Sequence, residues 1–239
     1  MSKKGLHMSS PSKMPCHSFD LSVILSGCAS RCIYGITNIC YVLTNFHDME
    51  WNKNRQNVFK RNQKLLESKR FTHVMINELL EDGDRWFRFF ASGDFPDIES
   101  MHKIMDACRA IDIGTKKFWI PTSREDLLEK YLTTGNKIPD NVCIRMSSPV
   151  IGDAIIPQLP YLEKLFKENG VCYSATTMDK SKVTCHASLE KKGNCGRCRK
   201  CWDKSNKLVV YFIHNTTSVK RAKEYFKSFV GFGDGVTVP

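Results

Sequence analysis

Apolar residues recur along this chain in two alternating rhythms. Short runs rich in aromatic and β-branched residues, at 18–25, 86–91, 117–121, 142–147, 171–175 and 208–213, predict strands. Between several of them the spacing changes to three and four. Within 97–111, Ile98, Met101, Ile104, Met105, Cys108 and Ile111 form the apolar stripe of one helix. Ser123-Arg-Glu-Asp126 has the form of a capping box ahead of a helix over 127–132, and Pro160 and Gly170 bracket another over 160–169. A further helix is predicted over 54–70, with Val58, Leu65 and Leu66 on its inner side.

From the run at 86–91 onward, successive strands lie about 25 to 37 residues apart, the spacing of βα units in a parallel sheet. The predicted fold class is α/β. It is either a partial (β/α) barrel or an open parallel sheet, built from five to six βα units and followed by a cysteine-rich metal-binding segment at 185–203. One domain spans 16–214, preceded by a disordered basic tail at 1–15 and followed by a C-terminal helix and tail at 215–239. In both architectures function gathers at the carboxyl ends of the strands. The residues following the first five strands are the loop 28–40, Ser92-Gly-Asp94, Thr122-Ser-Arg124, Ser147-Ser148 and Thr176-Thr177, and they are expected on one rim.

Composition narrows the class. At 239 residues, 41% hydrophobic and 10% aromatic, the chain has enough apolar material for one substantial core. No apolar run approaches the roughly 18 residues of a membrane span, and the first residues lack the apolar region of a secretory signal. The expected compartment is the reducing cytoplasm, with no membrane partner. The net charge of +11 is concentrated: 53–70 holds seven basic residues and one acid, and 187–207 seven and two. Such stretches favour nucleic acid or another polyanion, or else are solvated helix faces.

The eleven cysteines are uneven in their placement. Cys28, Cys32 and Cys40 fall in one loop after the first strand. Cys185, Cys195, Cys198 and Cys201 fall near the C-terminus, with two overlapping CxxC steps. An odd count in tight groups points to metal ligation rather than a disulfide framework. Three thiolates suit a four-iron cluster (4Fe-4S) with one iron left open. Zinc at the same place needs a fourth ligand, and Cys16, His17 or His47 is available. Four thiolates in the second group close a coordination sphere, and both zinc and a four-iron cluster are compatible with it. No His and Glu pair has the spacing to activate a zinc-bound water, so a zinc nuclease or deaminase is disfavoured.

The strand ends add polar candidates. Gly93 permits close approach of a ligand, and Asp94 offers an acceptor for an ammonium or a ribose hydroxyl. Arg124 is placed to clamp a carboxylate or to pair with Glu125 or Asp126. Arg145, flanked by apolar residues in a core strand, needs a partner.

Taken together, the cysteine loop, the small-Gly-acid turn and the later Thr-Ser-Arg and Arg-Met-Ser-Ser strand ends resemble radical S-adenosylmethionine (SAM) enzymes. Three segments resemble more closely a gene product 88-like family of phage and plasmid proteins of unknown function. They are Trp86-Phe-Arg-Phe-Phe-Ala-Ser-Gly-Asp94, Phe118-Trp-Ile-Pro-Thr-Ser-Arg124 and Cys195-Gly-Arg-Cys-Arg-Lys-Cys-Trp-Asp203. The radical SAM resemblance implies a cluster on Cys28, Cys32 and Cys40. It also implies a SAM amino group at Ser92, Gly93 and Asp94, its carboxylate or ribose at Arg124 or Arg145, and a reductant as partner. The loop spacing here is x3 then x7, where the usual loop has x3 then x2. The alternative is a non-enzymatic, zinc-stabilised basic phage protein that binds nucleic acid or a host protein.

Overall fold

The structure is a computed structural model and describes residues 6–36, 40–44, 53–149, 159–189 and 193–213. The expected helix and tail at 215–239, and His47, lie outside the described residues.

Seven strands form one sheet in sequence order. They are β1 (Met8–Ser9), β2 (His17–Phe19), β3 (Trp86–Phe89), β4 (Lys117–Thr122), β5 (Val142–Ser147), β6 (Cys172–Thr177) and β7 (Leu208–Phe212). β1 pairs antiparallel to β2, and every later pairing is parallel. A doubly wound sheet reverses its order partway; this one never does, and it leaves β1 and β7 as edges. It is the open, singly wound arrangement of a partial (β/α) barrel. Part of the segment read as a disordered tail is ordered: β1 belongs to the sheet, and Leu6 is buried against the core.

The crossovers carry α4 (Lys53–Glu67), α5 (Phe71–Glu81), α6 (Ile98–Arg109), α7 (Glu125–Thr133) and α8 (Pro160–Glu168). Three one-turn helices precede them in the cysteine loop: α1 (Cys28–Arg31), α2 (Ile33–Ile36) and α3 (Tyr41–Thr44). The cap of α6 is Asp97, whose carboxylate accepts the Ser100 N–H at 2.7 Å.

Strand alternation divides the sheet into two faces. Phe19, Phe87, Phe89, Phe118, Ile120, Val142, Ile144 and Met146 point to the helices and join Leu66, Met75, Ile104, Leu128 and Phe166 in the main core. Across β2 to β4 their rings meet with centroids 5.1 to 6.1 Å apart. Each such ring contributes about 1.5–3 kcal/mol on burial. The other face carries Trp86, Trp119 and Val209, and the C-terminal cysteine segment packs on it. There Trp202 meets Trp119 at 5.3 Å and Trp86 at 5.7 Å, and its ring N–H donates to the Phe87 carbonyl at 2.8 Å. No helix among the described residues is long and apolar enough to cross a membrane.

Candidate functional site

The carboxyl ends of β2, β3 and β4 are laced to one another. Asp20, just past β2 and buried, accepts the Ala91 N–H at 2.8 Å and the Ser18 hydroxyl at 3.0 Å. Ser92 donates its hydroxyl to the Leu21 carbonyl at 2.9 Å and accepts the Leu21 N–H at 3.0 Å. Gly93 has φ 84°, and a Cβ there would lie 2.8 Å from both Cβ and O of Leu21, so the close approach of the two loops requires glycine.

Asp94 is buried and takes four donors: Thr122 Oγ1 at 2.7 Å, Phe95 N at 2.8 Å, Ser123 N at 2.8 Å and Ser123 Oγ at 2.9 Å. Burial pushes its carboxyl pKa up while those hydrogen bonds oppose the rise.

The cysteine loop sits against this turn. Gly27, at φ 69°, turns the chain into α1. Cys28 opens that helix and Cys32 follows it, so the two lie one turn apart, and their thiols hydrogen-bond each other. That bond raises the Cys28 thiol and lowers Cys32 to about 7. The Ser123 hydroxyl also donates to Cys32, and its single proton serves either that sulfur or Asp94 at a given moment. Cys40 and Asp94 both lie within electrostatic reach of Cys28. The structure therefore gathers Cys28, Cys32, Cys40 and the Ser92–Asp94 turn on one rim. As a donor set, three part-buried thiols suit a four-iron cluster, which takes three protein ligands when its fourth iron binds another group.

Arg124 and Arg145, implied as partners of a SAM carboxylate or ribose, are both engaged by the protein, Arg124 in the pairing with Asp126 that its place in the sequence also allowed. Arg124 forks onto Asp126 at 2.8 and 2.7 Å and donates to the carbonyls of Phe95 and Pro96, which fixes the loop after β3. Arg145 is wholly buried on the face away from the helices, under the cysteine segment. It donates to the carbonyls of Cys201, Tyr173, Lys200 and Asp203 at 3.0, 3.2, 2.5 and 3.0 Å. The partner demanded by a core arginine is thus the backbone of the cysteine segment.

In that segment Cys185, Cys195, Cys198 and Cys201 line a cavity of about 60 Å³, together with His186, Trp202 and Val209. Cys201 is buried, which pushes its thiol up to about 11, and its sulfur lies 3.2 Å from the Tyr211 hydroxyl. Cys16 packs beside this group rather than the rim loop, and burial raises its thiol to about 12. Cys143 and Cys172, outside both groups, hydrogen-bond each other on the face away from the helices.

His17 is at the opposite end of the sheet. With Asp82 and Asp84 it forms a set of three donor atoms within 4.8 Å of one another. The buried ammonium of Lys116 already lies 2.8 Å from Asp82 and also donates to the Asp84 carbonyl. That cation occupies the charge a metal would need, so the set reads as an ion-pair staple for the amino ends of β2 to β4.

Sequence reasoning placed Ser123 on the rim without a role and missed Asp20, Tyr34, Asn62 and Tyr211. The nearest signal was the polar residues that interrupt apolar runs at strand ends.

A family model described as Gene product 88 matches residues 11–204. No curated protein and no solved structure matches the chain.

Proposed function

Because the chain belongs to the Gene product 88 family, a description that carries no chemistry, we propose from its own residues that it is an iron–sulfur protein of the radical SAM type. The observation that carries the reading is the meeting of Cys28, Cys32 and Cys40 with the Ser92–Asp94 turn at the carboxyl end of a singly wound parallel sheet. Cys28, Cys32 and Cys40 would hold three irons of a four-iron cluster. One-electron cleavage of SAM, giving methionine and a deoxyadenosyl radical that abstracts hydrogen from substrate, is the chemistry the bound pair supplies.

The chain's residues bind and orient. Gly93 lets the turn close onto Leu21, which holds Asp94 at the rim. Asp94 fixes Ser123, and Ser123 holds its hydroxyl toward Cys32. A ligand ammonium at Asp94 would replace the Ser123 hydroxyl there, leaving that proton for the Cys32 sulfur.

The substrate we assign is a polyanion such as a nucleic acid. Lys60, Arg61 and Lys64 are exposed on α4. On the buried side of the same helix, Asn62 donates to the Asp20 carbonyl at 3.0 Å, at the root of the cysteine loop. The basic helix therefore flanks the rim.

The test is protein purified without oxygen, analysed for iron and sulfide and assayed for deoxyadenosine release with SAM and a strong reductant. Cys32→Ala should lose about four irons per chain and all SAM cleavage while remaining folded. Unchanged iron in that variant, or wild-type protein carrying zinc alone, removes the radical reading. The second of these outcomes leaves the zinc-stabilised basic protein.

A further inference from the structure

We infer that the cup formed by Cys185, Cys195, Cys198 and Cys201 is built for a polynuclear iron–sulfur cluster and not for a single zinc ion. The cup is a different site from the rim loop, and its metal does not depend on SAM binding there.

The geometry of zinc is strict. A zinc ion holds four thiolates at about 2.3 Å in a tetrahedron, which puts the sulfurs about 3.8 Å from one another. Among the described residues, the set of three such donors within 4.8 Å is His17, Asp82 and Asp84. No three of the four cup sulfurs are that close. A cluster of four irons and four sulfides spreads its thiolates farther, because each sulfur binds a different corner.

The space between the sulfurs agrees. Four thiolates on one zinc leave no void among them, whereas these four line a cavity of about 60 Å³. A single water needs about 10–15 Å³, so this space suits a group of several atoms.

The backbone holds the sulfurs apart. Cys185 N bonds the Val210 carbonyl at 3.0 Å, and Cys195 N bonds the Lys13 carbonyl at 2.8 Å. The Cys201 carbonyl is gripped by Arg145 at 3.0 Å. Closing the cup onto one ion would pull against three anchors on three different parts of the fold.

The walls suit a redox centre. Trp202 and Val209 exclude water on the inner side, and the Tyr211 hydroxyl lies 3.2 Å from Cys201 Sγ, placed to donate to the thiolate. The Arg88 cation acts on Cys195 and Cys201. Donors and cations of this kind set a cluster's potential. Cys198 is exposed, which leaves one side open. Binding of iron would displace one proton from each of the four thiols.

The test uses the full chain with Cys28→Ala, Cys32→Ala and Cys40→Ala together, so that only the cup remains. Iron, acid-labile sulfide and zinc are measured as purified without oxygen, then after supply of ferrous iron with sulfide or of zinc alone. About four irons and four sulfides per chain, abolished by adding Cys195→Ala with Cys198→Ala so that only two cup thiols remain, are expected. Four irons in both the wild type and the triple variant would support the cup and count against the rim loop. One zinc per chain with no iron taken up overturns the inference, as does iron that survives the added pair. Should the triple variant not fold, Cys195→Ala with Cys198→Ala in the otherwise unchanged chain decides: neither thiol is fully buried, and their loss should remove about four irons from the wild-type total.

Discussion

Tyr34 Oη lies 2.9 Å from Thr176 Oγ1, joining the cysteine loop after β2 to the end of β6. Burial pushes the phenol up to about 12, so it keeps its proton at neutral pH and can donate. Tyr34→Phe should cost about 1 kcal/mol. Its sharper signature is hydrogen exchange: amides at 28–36 should exchange faster, with β4 and β5 unchanged. Uniform protection across the loop would show that the tie is dispensable.

Gly93 predicts a local failure. With φ 84° and Leu21 only 2.8 Å from any added Cβ, Gly93→Ala should lose about 1–3 kcal/mol in a thermal or denaturant melt. Gly83→Ala meets nothing within 4 Å and should stay within about 0.5 kcal/mol of wild type.

Arg145→Met would leave four carbonyls of Tyr173, Lys200, Cys201 and Asp203 without their donor. The expected loss is about 3 kcal/mol or more, a fall of roughly 6–12 °C in Tm, together with the metal of the C-terminal cup. Arg145→Lys should not restore it, because one ammonium cannot span the fork. Full metal content in Arg145→Met would disconnect this cation from the cup.

On α4 the exposed cations should matter for binding and not for folding. Lys60→Glu with Lys64→Glu should change stability by less than about 1 kcal/mol. The same pair should flatten the salt dependence of nucleic-acid binding by about 0.9 per lost phosphate contact in a log–log plot. Identical slopes in both proteins would redirect the search to another partner.

Acid should loosen the loop after β3. The Arg124 guanidinium holds the Asp126 carboxyl below its ordinary value. A depressed acid contributes stability above its unfolded pKa and loses it as pH falls through the folded one. Asp126 is largely exposed, so the pair is screened and worth at most about 1 kcal/mol. The stability gap between wild type and Asp126→Asn should be present above about pH 4 and close below it. A gap that persists in acid would assign the effect to packing.

Much of the fold is legible in the chain because strands of a parallel sheet, buried on both faces, read as continuous apolar runs. Such runs mark β3 to β7 to within two residues of their observed ends. The run at 18–25 misleads, since β2 ends at Phe19. Leu21 and Val23 are buried in a turn where the Ser22 hydroxyl accepts the N–H groups of Ile24 and Leu25. In α5, Phe71, Met75 and Leu79 recur every four residues, a signal masked by the polar residues between them. On α4 the inner residues are Phe59, Asn62 and Leu66, because a buried amide that bonds two backbones looks polar to any hydropathy pattern. The cysteine groups and the Ser-Gly-Asp turn are local in sequence and therefore visible. The roles of Arg145 and Tyr34 are not, because their partners lie up to 142 residues away.

Trp202 packs edge to face against both Trp86 and Trp119 beside the C-terminal cysteines, and the chain has only four tryptophans in all. Its ultraviolet emission is therefore weighted toward one end of its chemistry. Quenching as metal enters would report on the wall of the C-terminal cup, giving an optical handle on that site.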